Sequence, residues 1–125
     1  MKLWWGLGVL AVAAAVVVCL LPTQELPGAF DINDKLSHVI GHGLLAVYFA
    51  GLVARRSWWK IFVFLLALGV GIELAQHYMH LGRQGDVRDV IANSLGAALG
   101  LLVAHVGLAR WPQWIGRLVG QKASP

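Results

Sequence analysis

The chain has 125 residues, of which 58% are hydrophobic and 13% charged, with a formal net charge of +4. A soluble domain carries about 25% charged residues, and here the apolar residues come in long runs, which indicates a membrane protein rather than a soluble one. The positive charge does not point to nucleic acid, because the basic residues sit at the ends of apolar runs, where membrane topology accounts for them.

The first apolar run covers residues 3–21, behind Lys2. A secretory signal peptide shares the positive start and apolar middle, but this run is long and no small-x-small cleavage site follows. A lipoprotein reading of Cys19, the single cysteine, meets bulky Val18 where a small residue is needed. With one cysteine no intramolecular disulfide forms. The run reads as an uncleaved transmembrane helix that Pro22 stops. Residues 22–34 form a loop with two prolines, a glycine and acidic charges, and Asn33 or Asp34 can cap the helix that follows.

The second run, 36–54, carries Ser37, His38 and His42 in its first turns and is then apolar; Arg55, Arg56, Trp58, Trp59 and Lys60 follow as a basic, aromatic interface. The third, 58–79, is apolar until Glu73. The fourth, 87–109, starts polar and ends apolar apart from His105, which reads as an interface residue. Each run has about 20 residues, or about 30 Å of helix, matching a hydrocarbon core. In the tail, 110–125, Trp111, Trp114, Ile115, Leu118 and Val119 recur at helical spacing opposite Arg110, Gln113 and Arg117, with Pro112 in a first turn. It reads as a short helix lying on the membrane surface, against a frayed polar tail. The expected fold is therefore all-α and polytopic: one domain over 1–125, an antiparallel bundle of four transmembrane helices plus a short C-terminal interfacial helix.

Orientation follows from the loops. Lys2, Arg55, Arg56, Lys60, Arg110, Arg117 and Lys122 fall on one side; Lys35, Arg83 and Arg88 fall on the other with Glu25, Asp31, Asp34, Asp86 and Asp89. The basic excess puts both termini in the cytoplasm. All six tryptophans share the basic side, where an aromatic belt belongs.

This topology gathers polar faces in the outer leaflet. Asp34, His38 and His42 are spaced i, i+4, i+8; Glu73, Gln76, His77 and His80 are spaced i, i+3, i+4, i+7; Asp86, Asp89 and Asn93 are spaced i, i+3, i+7. Short connections make neighbouring helices antiparallel and adjacent, so the three faces meet in one pocket. Glu73 is its deepest acid, about 10 Å of helix rise below His80. Gly96 and Gly100 form G-x-x-x-G, which Ala92 extends, and they allow close helix approach in the bundle core or in a homo-oligomer; Gly41, Gly43, Gly69 and Gly71 give similar room on the other helices.

Most of these residues have a plain structural reading. Asp34 is a helix cap, Gln76 and Asn93 are interhelical hydrogen bonders, and Asp89 charges the start of the fourth helix, where the dipole favours it. His38 and His42 have metal-ligand spacing, but packing by hydrogen bonds is the commoner use, and no metal or other cofactor is expected. Arg83 pairs with Asp86 or Asp89, or contacts an anionic head group or phosphate. Glu73 is different, because a carboxylic acid within a membrane span is by default a functional-site candidate.

The ordered motif Asp34-Lys35-x-x-His38, Glu73-x-x-Gln76 and Arg83-x-x-Asp86-x-x-Asp89-x-x-x-Asn93-x-x-Gly96-x-x-x-Gly100 resembles the VanZ-like family of small bacterial membrane proteins. Position 42 is histidine where that family is often aromatic. The resemblance implies a multi-pass protein of the bacterial plasma membrane. The family's namesake is associated with low-level resistance to teicoplanin, a lipid-tailed glycopeptide, but the family brings no established reaction.

The first functional expectation is a site that binds or modifies an envelope lipid or lipid-linked precursor. Arg83 would hold a phosphate or carboxylate, with Asp34, Gln76, Asp86 and Asn93 also binding substrate. Glu73 would act as general acid or base, with His38 or His77 adjusting its proton affinity and Asp89 and Asn93 orienting it. No nucleophile stands out, since Ser37 and Ser94 are ordinary helix serines. The alternatives are a proton-coupled exporter, a metal-dependent hydrolase using His38, His42, Glu73, His77 or His80, and an accessory protein whose polar cluster is interhelical glue. The exporter lacks an ionisable residue in the first helix beyond Lys2, and the hydrolase lacks a signature such as H-E-x-x-H.

Overall fold

The computed structural model describes residues 1–20, 32–79 and 87–120. Five helices follow in order: α1 (Lys2–Leu20), α2 (Ile32–Ala50), α3 (Trp58–Met79), α4 (Val87–His105) and α5 (Trp111–Leu118). Short 3-10 turns, Arg55–Ser57 and Leu108–Arg110, lead into α3 and α5. No strand occurs among the described residues.

The first four helices run alternately up and down. The start of α1, the end of α2, the start of α3 and the end of α4 meet at one end, which carries Trp4, Trp58 and Trp111 and is called the tryptophan end below. The opposite, polar end joins the end of α1 to the end of α3 through a bond from Gln76 to Cys19, and the start of α2 to the start of α4 through Lys35 and Asp89.

Among the described residues three segments are long and apolar enough to cross a membrane: Lys2–Leu20, Arg55–Tyr78 and Val87–His105, with mean hydropathies of 2.4, 1.8 and 1.5. The fourth long helix, α2, matches α1 in length with 19 residues. Its composition is more polar for a physical reason: His38 and His42 are buried against neighbouring helices, so they need not be apolar. The helices' outer faces carry exposed leucines, valines and isoleucines, as expected where the surrounding solvent is lipid.

Bundle cohesion centres on α2 and α4, whose backbones touch. A Cβ at Gly96 would lie 2.3 Å from the Val39 carbonyl oxygen, and one at Gly100 would lie 2.4 Å from that of Gly43. The G-x-x-x-G face is thus filled within the chain. Gly43 and Gly69 also give close approach, whereas a Cβ at Gly41 or Gly71 would meet nothing, so those two glycines do not serve packing as expected. Around this contact Leu45, Ala46, Phe49, Ala50, Ile61, Leu65, Ala97 and Ala104 form a closed apolar core.

Two helix ends differ from the sequence reading. α2 spans residues 32–50 rather than 36–54. Helix ends leave carbonyls without partners, which is costly in an apolar setting unless a donor arrives. Here the Gly51 N–H bonds the Val47 and Tyr48 carbonyls, and side-chain donors are added, one from eight residues on and one from far along the chain. The Trp111 indole N–H donates to the carbonyls of Val47 (3.3 Å) and Tyr48 (3.1 Å), and that of Trp58 donates to Ala50 (3.3 Å). Gly51 makes room, since a Cβ there would lie 2.3 Å from Trp111 Nε1. α2 also starts before Asn33 and Asp34, which stand in its first turn rather than capping it. α4 stops at His105 rather than near 109, because Gly107 adopts φ 134°, a left-handed conformation that breaks the helix. Arg55 Nη2 donates to the freed His105 carbonyl at 3.1 Å.

The tail forms the expected amphipathic helix with Pro112 in its first turn. Trp111 stacks on Tyr48 at 4.8 Å between ring centroids and meets the edge of Trp4 at 5.1 Å. Trp114, Leu118 and Val119 remain exposed.

Candidate polar site

Six polar residues are buried at or near the polar end: His38, His42, Glu73, Gln76, Asp89 and Asn93, each at most 7% exposed. The helical spacing places them. His38 and His42 are one turn apart on α2, Glu73 and Gln76 are neighbours on one face of α3, and Asp89 and Asn93 are one turn apart on α4.

The best-defined contacts lie between α2 and α4. Lys35 Nζ donates to Asp89 Oδ1. The other Asp89 oxygen lies 3.6 Å from His38 Nε2. The second ring nitrogen, Nδ1, lies 2.8 Å from Asn93 Oδ1, the distance of an N–H donated to an amide oxygen. Lys35, Asp89, His38 and Asn93 thus form one line of polar contacts. A carboxylate beside one imidazole nitrogen and an amide on the other fix the ring's orientation, an arrangement that holds a histidine ready for proton transfer.

α3 joins this line through its register. A Cβ at Gly69 would lie 2.8 Å from Asn93 Nδ2, so Gly69 faces Asn93. In an antiparallel pair, one turn onward in α3 is level with one turn back in α4, which puts Glu73 level with Asp89. Gln76, a turn nearer the polar end, donates from Nε2 to the Cys19 carbonyl at 2.6 Å and ties α1 to α3.

Not all polar hydrogen-bonding capacity is used. Among the described residues, His42 Nε2, Gln76 Oε1 and Asn93 Nδ2 are buried without a hydrogen-bond partner. Each such atom costs roughly 1–3 kcal/mol if nothing meets it.

The structure separates the candidates. His38, Asp89 and Asn93 are brought together, and Glu73 and Gln76 are buried on the facing helix. His77 is exposed, edge-on to Tyr78 at 5.1 Å, and does not join the pocket. The inward stripe of α3 runs through Gly69, Ile72, Glu73 and Gln76, and His77 falls about 100° beyond Gln76. The side chain of Asp34, and His80, Arg83 and Asp86, lie outside the described residues. Lys35 is the residue that sequence reasoning missed, because it was counted as a topology charge; its place one turn before His38 was the available signal. Ser37 is exposed, and Ser94 donates to Val90 of its own helix. Among the described residues, no three His, Cys, Asp or Glu side chains are grouped to hold a metal ion.

A family model described as VanZ/LLP1 matches residues 9–109. The chain belongs to the VanZ/LLP1 family. The match covers α2, α3 and α4 in full and α1 from Val9 onward, and includes every buried polar residue described above. This membership and the apolar helices make it a membrane protein of that family. No curated protein and no solved structure matches it.

Proposed function

We propose that the polar end binds or modifies an envelope lipid or lipid-linked precursor in the outer leaflet of the bacterial plasma membrane, both chain termini being cytoplasmic. One observation carries this reading. In a bundle surrounded by apolar side chains, three buried polar atoms on three different helices, His42 Nε2, Gln76 Oε1 and Asn93 Nδ2, have no hydrogen-bond partner among the described residues. Such atoms are expensive in hydrocarbon and suit a polar ligand. In this reading Arg83 holds the ligand's phosphate or carboxylate, Asp34 and Asp86 also bind it, and Gln76 and Asn93 orient it. Glu73 and the Asp89–His38 pair move the proton if a bond is made or broken. The resemblance to the teicoplanin-associated namesake fits a ligand that shares a lipid tail with that drug.

The test is native mass spectrometry of the gently solubilised protein, wild type against Glu73→Gln and Arg83→Ala, after both variants are shown to fold. A lipid or anionic ligand present on wild type and lost from both variants is the expected result. Equal occupancy across all three would overturn the reading.

A second reading has its own observation. The Lys35–Asp89–His38–Asn93 line and the Gln76–Cys19 bond each join two helices, as interhelical glue would. That reading makes the same variants unstable and leaves no ligand to lose. A proton-coupled exporter fares worse, because its path would have to cross the apolar core of Leu45, Ala46, Phe49, Leu65, Ala97 and Ala104, which offers no ionisable group.

A further inference from the structure

The tryptophan end carries a second concavity that the polar site does not use. It is a groove of about 480 Å³ between α1, the end of α2 and the start of α3. Trp5, Val9 and Val12 form one wall, and Phe49, Ile61 and Phe64 form the other. The lining is almost wholly apolar, and Ser57 and Lys60 also border it.

We propose that this groove binds an anionic glycerophospholipid of the adjacent leaflet, with one acyl chain between α1 and α3 and the headgroup phosphate against Lys60. Size is the first argument. The volume falls within the roughly 300–1,000 Å³ of ligand pockets. Between Trp5 and Val12, and again between Ser57 and Phe64, the helices rise about 10 Å, which covers most of the roughly 15 Å of hydrocarbon in one leaflet.

Charge is the second argument, and it selects the headgroup. The segments that build this end, residues 1–12, 47–65 and 100–120, contain Lys2, Arg55, Arg56, Lys60, Arg110 and Arg117 and none of the sequence's six acidic residues. A phosphate with no compensating cation is drawn to such a surface, whereas a zwitterion gains little. Lys60 is exposed, with its ammonium 5.8 Å from the Trp59 ring centroid. Its stem can lie along apolar surface while the charge stays at the level of headgroups.

The experiment uses purified full-length protein in a neutral detergent, titrated with phosphatidylglycerol or with phosphatidylcholine of identical acyl chains and read by native mass spectrometry. Wild type should hold one phosphatidylglycerol in preference to phosphatidylcholine. Val9→Trp fills the groove from an exposed position and should abolish retention of either lipid. Lys60→Gln, a surface change that leaves the fold intact, should keep the groove but lower the preference roughly fivefold, the ratio equivalent to about 1 kcal/mol per surface lysine. Equal occupancy by the two lipids on wild type, or unchanged retention in both variants, would reduce the groove to ordinary lipid-facing surface and overturn the proposal. A dimer on wild type that disappears in Val9→Trp would overturn it as well, by assigning the groove to a second copy of the chain.

Discussion

The two ends of the bundle use polar groups in opposite ways. At the tryptophan end, side-chain donors meet main-chain carbonyls: Trp111 on Val47 and Tyr48, Trp58 on Ala50, Arg55 on His105 and the Tyr48 hydroxyl on the Trp4 carbonyl at 2.6 Å. Two of these donors, Trp58 and Arg55, meet the last carbonyls of α2 and α4, at Ala50 and His105. At the polar end, side chains mostly meet side chains across helices, and three buried atoms are left over among the described residues. A donor that caps a helix has a complete structural explanation. A buried donor or acceptor left over does not, which is why the functional proposal rests on the polar end.

The largest expected effect would break the frame that both ends share. Gly96→Leu forces a side chain into the Val39 backbone and should cost about 3 kcal/mol, read as loss of helix packing on thermal or denaturant unfolding in detergent. Next comes Asp89→Ala, which removes the carboxylate that Lys35 and His38 share and should cost about 2 kcal/mol; if the polar end binds a ligand, this variant should lose it as well, as seen by mass spectrometry. Trp111→Phe keeps the ring stacking and removes the shared N–H donation, so about 1 kcal/mol should be lost with no change in ligand at the polar end. A ligand lost from Trp111→Phe would show that the two ends are coupled. The smallest effect is His77→Ala, expected within about 0.5 kcal/mol of wild type and silent in ligand binding; a loss of ligand there would return His77 to the site.

Sequence alone carried the topology, because the basic residues and the tryptophans sort independently to one side and the run lengths match a bilayer. It also carried the gathering of His38, Asp89 and Asn93 at one end, since one-turn spacing leaves little choice of face once neighbouring helices are antiparallel, but it set them around Glu73 rather than against one another. It did not carry the ends of α2 and α4. The end of α4 is broken at Gly107 and its last carbonyl meets Arg55, 50 residues away, while the last turn of α2 meets Trp111 as well as the nearby Trp58; no local pattern reports the distant partners. His77 was misplaced because i, i+4 spacing from Glu73 defines a face too broadly; the stripe centred on Gly69, Ile72 and Gln76 turns it outward.

The Trp111 bond also orders events in time. The Val47 and Tyr48 carbonyls, which the Gly51 N–H also bonds, are made 64 and 63 residues before the indole that brings them a second donor. At roughly 5–20 residues per second, that is several seconds of synthesis. During that interval Tyr48 of α2 lacks the indole that stacks on it. The tail therefore acts as a late clasp on the bundle, and the protein reaches its final packing only after the most C-terminal described helix has been made.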